Sequence, residues 1–179
     1  ADHMGCDHDP SYSKENYPAF EERLSFLGLT DPLHAYSLQP AKVEWVRRTQ
    51  YLFSFMDSAN LCQLCWGASW TLYGPQDMVK LVKAVTGWDM SIDEILEVGE
   101  RRLVMMRLFN QREGFGAKDD SLPEKFFNQP LQGGVSDQLT VDQAEFDAAM
   151  VEYYRQSGWD ETSGHPTSET VARLGLEAL

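Results

Sequence analysis

Three observations predict an all-α, multihelical fold. Apolar residues recur at spacings of three and four over several long stretches, and polar caps stand at the heads of those stretches. Strand-like alternation never persists for more than a few residues, and no internal repeat recurs at a fixed period.

Residues 9–40 are rich in Pro, Tyr, Ser and Asp, with Pro10, Pro18, Pro32 and Pro40 interrupting any long element, so loops and short helices are expected. We read residues 1–40 as a connecting segment and 41–179 as a helical domain. Pro40 or Ala41 opens the first long helix, because proline is preset for the first helical position. Val43, Val46, Gln50, Phe53 and Met56 or Asp57 then follow at helical spacing, giving a helix over about residues 41–56 that delivers Asp57 to Cys62 at its C-terminal end or in the turn beyond. Pro75 starts a second helix with Met78, Leu81, Val82 and Val85 on one face, and Gly87 ends it in the left-handed conformation. Ser91-Ile-Asp-Glu94 is a capping box for a third helix, which carries Ile95, Leu96, Leu103 and Met106 to about residue 109. The glycines and prolines of residues 110–134 predict a long irregular loop. Thr140-Val-Asp-Gln143 caps a fourth helix that ends near Ser157, with Gly158 beyond it. Thr167 caps a short last helix closed by Gly175.

The chain of 179 residues carries a formal charge of −13, which argues against a general binder of nucleic acid or anionic membrane. No run approaches the ~20 apolar residues that span a bilayer, and no basic segment precedes an apolar stretch at the start. Three cysteines do not make the even framework of a secreted disulfide scaffold, which points to a reducing, cytoplasmic setting. A chain opening on Ala1 without an initiator methionine is expected of a piece of a longer protein.

The segment Asp57-Ser-Ala-Asn-Leu-Cys62, followed by Gln63-Leu64-Cys65, places a carboxylate and a thiol in one tight turn. A carboxylate accepts parallel N–H donors from a guanidine-like edge, such as that of arginine or a pterin ring. A thiolate five residues on suits iron or another soft metal. The alternative is structural: Asp57 caps or ends a helix, and the two cysteines pack as small apolar residues. A zinc site needs a second ligand pair, and a thioredoxin-like site needs a βαβ context, which is missing. His3, Cys6 and His8, interleaved with Asp2, Asp7 and Asp9, either offer a mixed donor set for zinc or iron or form a hydrogen-bonded turn with its carboxylates in water. Asn110-Gln-Arg-Glu-Gly-Phe-Gly, with Asp119 and Asp120, either lines a channel or forms a solvated turn with weak surface ion pairs.

Several segments in order resemble the C-terminal helical region of the tungsten-containing aldehyde ferredoxin oxidoreductase family. They include Asp57 to Cys62, Val85-Thr-Gly87, Gly99-Glu-Arg101, Arg107 to Phe115, Asp119-Asp-Ser-Leu-Pro123, Tyr153-Tyr154, Gly158-Trp-Asp160 and Leu174-Gly-Leu176. The resemblance implies that Asp57 holds a pterin edge, that the Leu61 and Cys62 backbone touches it, and that Cys62 is the fourth cysteine ligand of a 4Fe-4S cluster. Asn60 stands where the family usually has glycine, and asparagine is the next best residue for a positive φ. His3 takes the place of a family histidine near the metal, where an imidazole exchanges a proton with substrate or a metal-bound oxygen. Cys65 has no family role and is read as a packing residue.

The implied parent binds tungstopterin (or molybdopterin) and a 4Fe-4S cluster, oxidises an aldehyde substrate to a carboxylic acid, and passes electrons to ferredoxin. Residues 1–40 then enter the cofactor cleft, the rest of the same enzyme supplies the pterin-binding domain and three other cluster cysteines, and the isolated chain is inactive. Two rival expectations are a free-standing helical interaction module without cofactor, and a family member that reduces another carbonyl or an aromatic thioester.

Overall fold

The computed structural model describes residues 17–34, 37–68, 71–134 and 137–178. Among the described residues seven α-helices follow in order: α1 Glu21–Phe26, α2 Pro40–Ser58, α3 Pro75–Thr86, α4 Ile92–Arg112, α5 Lys125–Asn128, α6 Gln143–Ser157 and α7 Ser168–Arg173. Among the described residues, β structure is limited to two isolated bridges, Trp66 with Tyr73 and Trp159 with Pro166. The fold is all-α, as the periodicity predicts. No helix among the described residues is long and apolar enough to cross a membrane.

At the centre lie α2 and α4. Arg48 pairs with Asp93, Ser54 with Gly99 and Asp57 with Arg102, so the two helices run in the same direction and α3 lies in the connection between them. They meet most closely at Gly99, whose carbonyl accepts a 2.8 Å hydrogen bond from the Ser54 hydroxyl. A Cβ on residue 99 would overlap the Tyr51 carbonyl group, so only glycine permits this approach. Leu24, Leu27 and Leu29 around α1 share one core with Leu52 and Met56 of α2, Met78 of α3 and Ile95 of α4. Segment 17–40 is therefore partly built into the core.

Helix termini follow the predicted chemistry at most ends. The Ser91 hydroxyl accepts from the Glu94 N–H while the Glu94 carboxylate accepts from the Ser91 N–H, a complete capping box. Gly87 and Gly158 close α3 and α6 with left-handed backbones, and Thr167 caps α7. The fourth predicted cap is corrected by two residues. Asp142 rather than Thr140 caps α6, its carboxylate accepting from the Glu145 N–H, because an aspartate at that position reaches the free amide directly.

Two further expectations are corrected along α4. Met106 is 45% exposed, and Arg107 takes the inward position one turn after Leu103: helical spacing from Leu103 admits either residue, and Asp120, Gly164 and Trp159 supply partners for the guanidinium. In α3, Val85 lies on the open side of the last turn. The region 110–134 is also less irregular than expected, since α4 continues to Arg112 and a 3-10 turn (Ala117–Asp119) and α5 follow.

Arg107 explains the charged loop. Its Nη1 donates to Asp120 at 2.9 Å, its Nε donates to the Gly164 carbonyl at 2.7 Å, and its guanidinium lies 5.2 Å from the centre of the Trp159 ring. The Tyr154 hydroxyl donates to the same Asp120 carboxylate at 2.6 Å. Burial, reinforced by that carboxylate, pushes the Tyr154 phenol well above its usual range, so it remains a donor. Asp119 accepts from the Gly116 N–H. Asp120 thus belongs to an internal clamp joining α4, the end of the 3-10 turn and α6, whereas Asp119 and residues 110–115 lie at the surface.

Gly99→Ala is expected to destabilise the protein by about 1–3 kcal/mol through overpacking between α2 and α4, lowering the thermal midpoint by several degrees. Circular dichroism melts measure this, and an unchanged midpoint contradicts the close approach.

Candidate functional site

The Asp57 to Cys62 segment is a helix terminus of a defined kind. Ala59 is the C-cap of α2, Asn60 takes φ +55°, and the Leu61 N–H donates back to the Met56 carbonyl at 2.9 Å. The Asn60 N–H reaches the Asp57 carbonyl at 3.4 Å. This is a Schellman turn, in which a left-handed residue lets two amides satisfy the last helical carbonyls. Its usual apolar contact is present, because Leu61 packs against the core to which Met56 belongs. Asparagine fills the position that the resemblance gives to glycine, and its backbone adopts the positive φ expected of it.

The turn places the four candidate residues, Asp57, Asn60, Leu61 and Cys62, at one end of α2. Asp57 lies in the last helical turn, where one carboxylate oxygen forms an ion pair with Arg102 Nη2 of α4 at 3.2 Å and the other accepts from Gln63 Nε2 at 3.1 Å. About a third of each side chain of the Asp57–Arg102 pair remains exposed. The carboxylate therefore pairs with a guanidinium through one oxygen, not through two parallel donors of one edge.

After Leu61 the backbone turns again. The Cys65 N–H donates to the Cys62 carbonyl at 2.9 Å and the Trp66 N–H to the same carbonyl at 3.0 Å. A small closed loop follows, held by the Tyr73 N–H on the Cys65 carbonyl and the Gly67 N–H on the Tyr73 carbonyl, with the Trp66 and Tyr73 rings 4.6 Å apart. Arg23 of α1 donates to the Thr71 carbonyl at 3.0 Å and anchors the loop from outside.

Cys62 is exposed and Cys65 is half-buried. The Leu64 N–H donating to its sulfur holds the Cys62 thiol below the usual range, assisted by the Cys65 thiol and N–H and opposed by partial desolvation. Desolvation pushes the Cys65 thiol up, as does its donation to the Cys62 sulfur. The Cys65 backbone N–H, donating to the Cys62 carbonyl, ties the two cysteines into one turn. Leu64, between the two cysteines in sequence, and Leu72, beyond them, are 82% and 74% exposed.

His3, Cys6 and His8 lie outside the described residues. Among the described residues, no group of three or more His, Cys, Asp and Glu side chains is arranged to hold a metal. An open groove of about 750 Å³, lined in part by Phe126, Pro130, Leu131 and Val141, contains none of the four candidate residues.

Sequence reasoning missed Arg102 and Gln63 as partners of Asp57. A signal existed in the spacing: Arg102 is one turn beyond Gly99, as Asp57 is one turn beyond Ser54, so a close contact at Ser54 and Gly99 brings the next pair together.

Residues 1–176 match the family model described as "Aldehyde ferredoxin oxidoreductase, domains 2 & 3". The chain belongs to the aldehyde ferredoxin oxidoreductase family. It is 32% identical over 154 residues to the tungsten-containing aldehyde ferredoxin oxidoreductase of Pyrococcus horikoshii, covering 84% of this chain and 24% of that protein. The enzyme of the same name from Pyrococcus furiosus is 31% identical over 163 residues, covering 90% of this chain and 25% of its own length. The WOR-like subunit of an aliphatic sulfonate oxidoreductase from P. furiosus is 26% identical over 129 residues, covering 69% of this chain and 20% of the relative. The chain thus spans about a quarter of the length of the curated relatives it matches. Within this family of oxidoreductases it corresponds to the helical part.

Asn60→Gly is expected to leave thermal stability within a few tenths of a kcal/mol, whereas Asn60→Val should cost about 1–2 kcal/mol because a β-branched residue resists the left-handed backbone. Equal melting midpoints for the two variants contradict the Schellman turn.

Proposed function

We propose that this chain is the helical, cofactor-facing portion of a tungsten (or molybdenum) pterin oxidoreductase that converts aldehydes to carboxylic acids with ferredoxin as electron acceptor. The observation that supports this reading most is the Asp57 to Cys62 turn. One helix end there presents a carboxylate engaged with planar N–H donors and, five residues on, an exposed thiol. The donor set fits: Asp57 offers the acceptor geometry that a pterin edge requires, and Cys62 offers a soft thiolate for iron. In this reading Asp57 holds the pterin edge, the backbone at Asn60, Leu61 and Cys62 lies against it, and Cys62 is one ligand of a 4Fe-4S cluster. When bound, the metal–pterin centre supplies the two-electron chemistry by which an aldehyde and water become a carboxylic acid, two protons and two electrons.

The chain's own residues have positional work. The Schellman turn fixes the Asp57-to-Cys62 span, so one rigid segment touches both redox groups and keeps the electron path between them short. Arg102 and Gln63 orient the Asp57 carboxylate. Exposed Leu64 and Leu72 suit coverage by the rest of the same enzyme, which would contribute the pterin-binding domain and the remaining cluster cysteines. Residues 1–40 would lead into the cleft, with 41–179 as the helical domain, and His3 would exchange a proton with the substrate. A single cysteine cannot hold a four-iron cluster, so the chain alone would be inactive. A cytoplasmic location is in keeping with exposed thiols and a soluble electron acceptor.

Cys62→Ala in the full enzyme, purified without oxygen, should remove most of the cluster iron while the protein still elutes as a folded species; unchanged iron content rejects the ligand assignment. His3→Asn should slow turnover while tungsten content is retained. Undiminished turnover across pH rejects the proton-transfer role.

A further inference from the structure

We propose that Cys62 and Cys65 form a reversible dithiol–disulfide site, oxidised by exchange with a low-molecular-weight disulfide, with Cys62 as the attacking thiol and Cys65 as the resolving one. The turn geometry carries the argument. The 2.9 Å bond from the Cys65 N–H to the Cys62 carbonyl closes a four-residue turn. Such turns hold their end Cα atoms within about 7 Å, overlapping the roughly 4.4–6.8 Å separation of bridged cysteines. Both cysteines stand in one turn outside any helix, with the Trp66 N–H also closing on the Cys62 carbonyl at 3.0 Å. No helix has to move for the sulfurs to join.

Exposure sets the order of events. A disulfide arriving from solvent meets the exposed Cys62 first, while Cys65 sits half-buried behind it. The Cys62 thiolate attacks one sulfur of RSSR, forming Cys62–S–S–R and releasing RS⁻. Cys65 then gives up its proton and attacks the Cys62 sulfur, forming the internal bond and releasing the second RS⁻. The pair loses two electrons and two protons, and RSSR becomes two RSH.

A consequence, which rests on the cluster reading above, is that oxidation of this pair and iron loading at Cys62 exclude one another. The linked sulfur has no thiolate left to give. Cys65, which no cofactor role absorbs, then acts as a guard on the empty ligand position.

The test incubates the 179-residue chain with glutathione disulfide, alkylates the remaining thiols and maps the digest by mass. The expected product is a Cys62–Cys65 bond, lighter by two hydrogens and reversed by dithiothreitol, while Cys65→Ala stops at a glutathione adduct on Cys62. Two alkylated thiols in the wild-type chain, or a bond to Cys6 instead, would overturn the proposal. In the full enzyme, iron-loaded protein should form the bond roughly tenfold or more slowly than iron-free protein, because the attacking thiolate is occupied. Equal rates there, with the bond formed in the isolated chain, reject Cys62 as a cluster ligand and leave the disulfide site standing.

Discussion

The contact between α2 and α4 at Gly99 is the constraint on which the rest of the molecule depends. Without a side chain at residue 99, the α4 backbone approaches Tyr51 and Phe55, and the Ser54 hydroxyl bridges the helices to the Gly99 carbonyl. That fixes the register of two parallel helices to within one turn. One step further along both, Asp57 meets Arg102, which also donates to Ser54. The position of the Asp57 to Cys62 turn is therefore set by a packing event a full turn away, inside the protein.

A second constraint holds the other end of α4. Arg107 is only 8% exposed, a costly place for a permanent cation unless every donor is used. Its donors go to Asp120 and Gly164, with two aromatic rings nearby. Burial disfavours the charge, but the Asp120 carboxylate and the Tyr154 hydroxyl outweigh it and hold the guanidinium above its usual value. The same site explains Gly164, since a Cβ there would strike the Arg107 guanidinium and the Tyr154 ring. Residues scattered from Arg107 to Gly164 thus converge on one structural clamp.

The turn between these constraints combines stability with exposure. Its backbone is satisfied by the Schellman pattern and its apolar residue Leu61 packs on the core, while Asp57 and Cys62 keep access to solvent. That division suits a site whose ligands are supplied by another part of a larger protein. The rigid backbone removes the need to order the segment when those ligands arrive.

The sequence by itself determined the long helices and most of their ends, because capping and left-handed termini are local: Ser91 with Glu94, Gly87, Asn60 and Thr167 act on amides within a few residues. It also marked Asp57 and Cys62 as neighbours in one turn, since five residues across a helix end cannot separate far. What it left open were interactions between distant segments. That Met106 faces outward while Arg107 turns in was decided by Asp120, Tyr154 and Trp159, up to fifty-odd residues away. That Asp57 already holds a guanidinium was decided by the crossing at Gly99, and that Cys65 touches Cys62 by a second turn closing on the first. Tertiary packing chooses such partners because a charge or thiol is satisfied by whatever the fold brings within hydrogen-bond reach, and local spacing does not encode that distance.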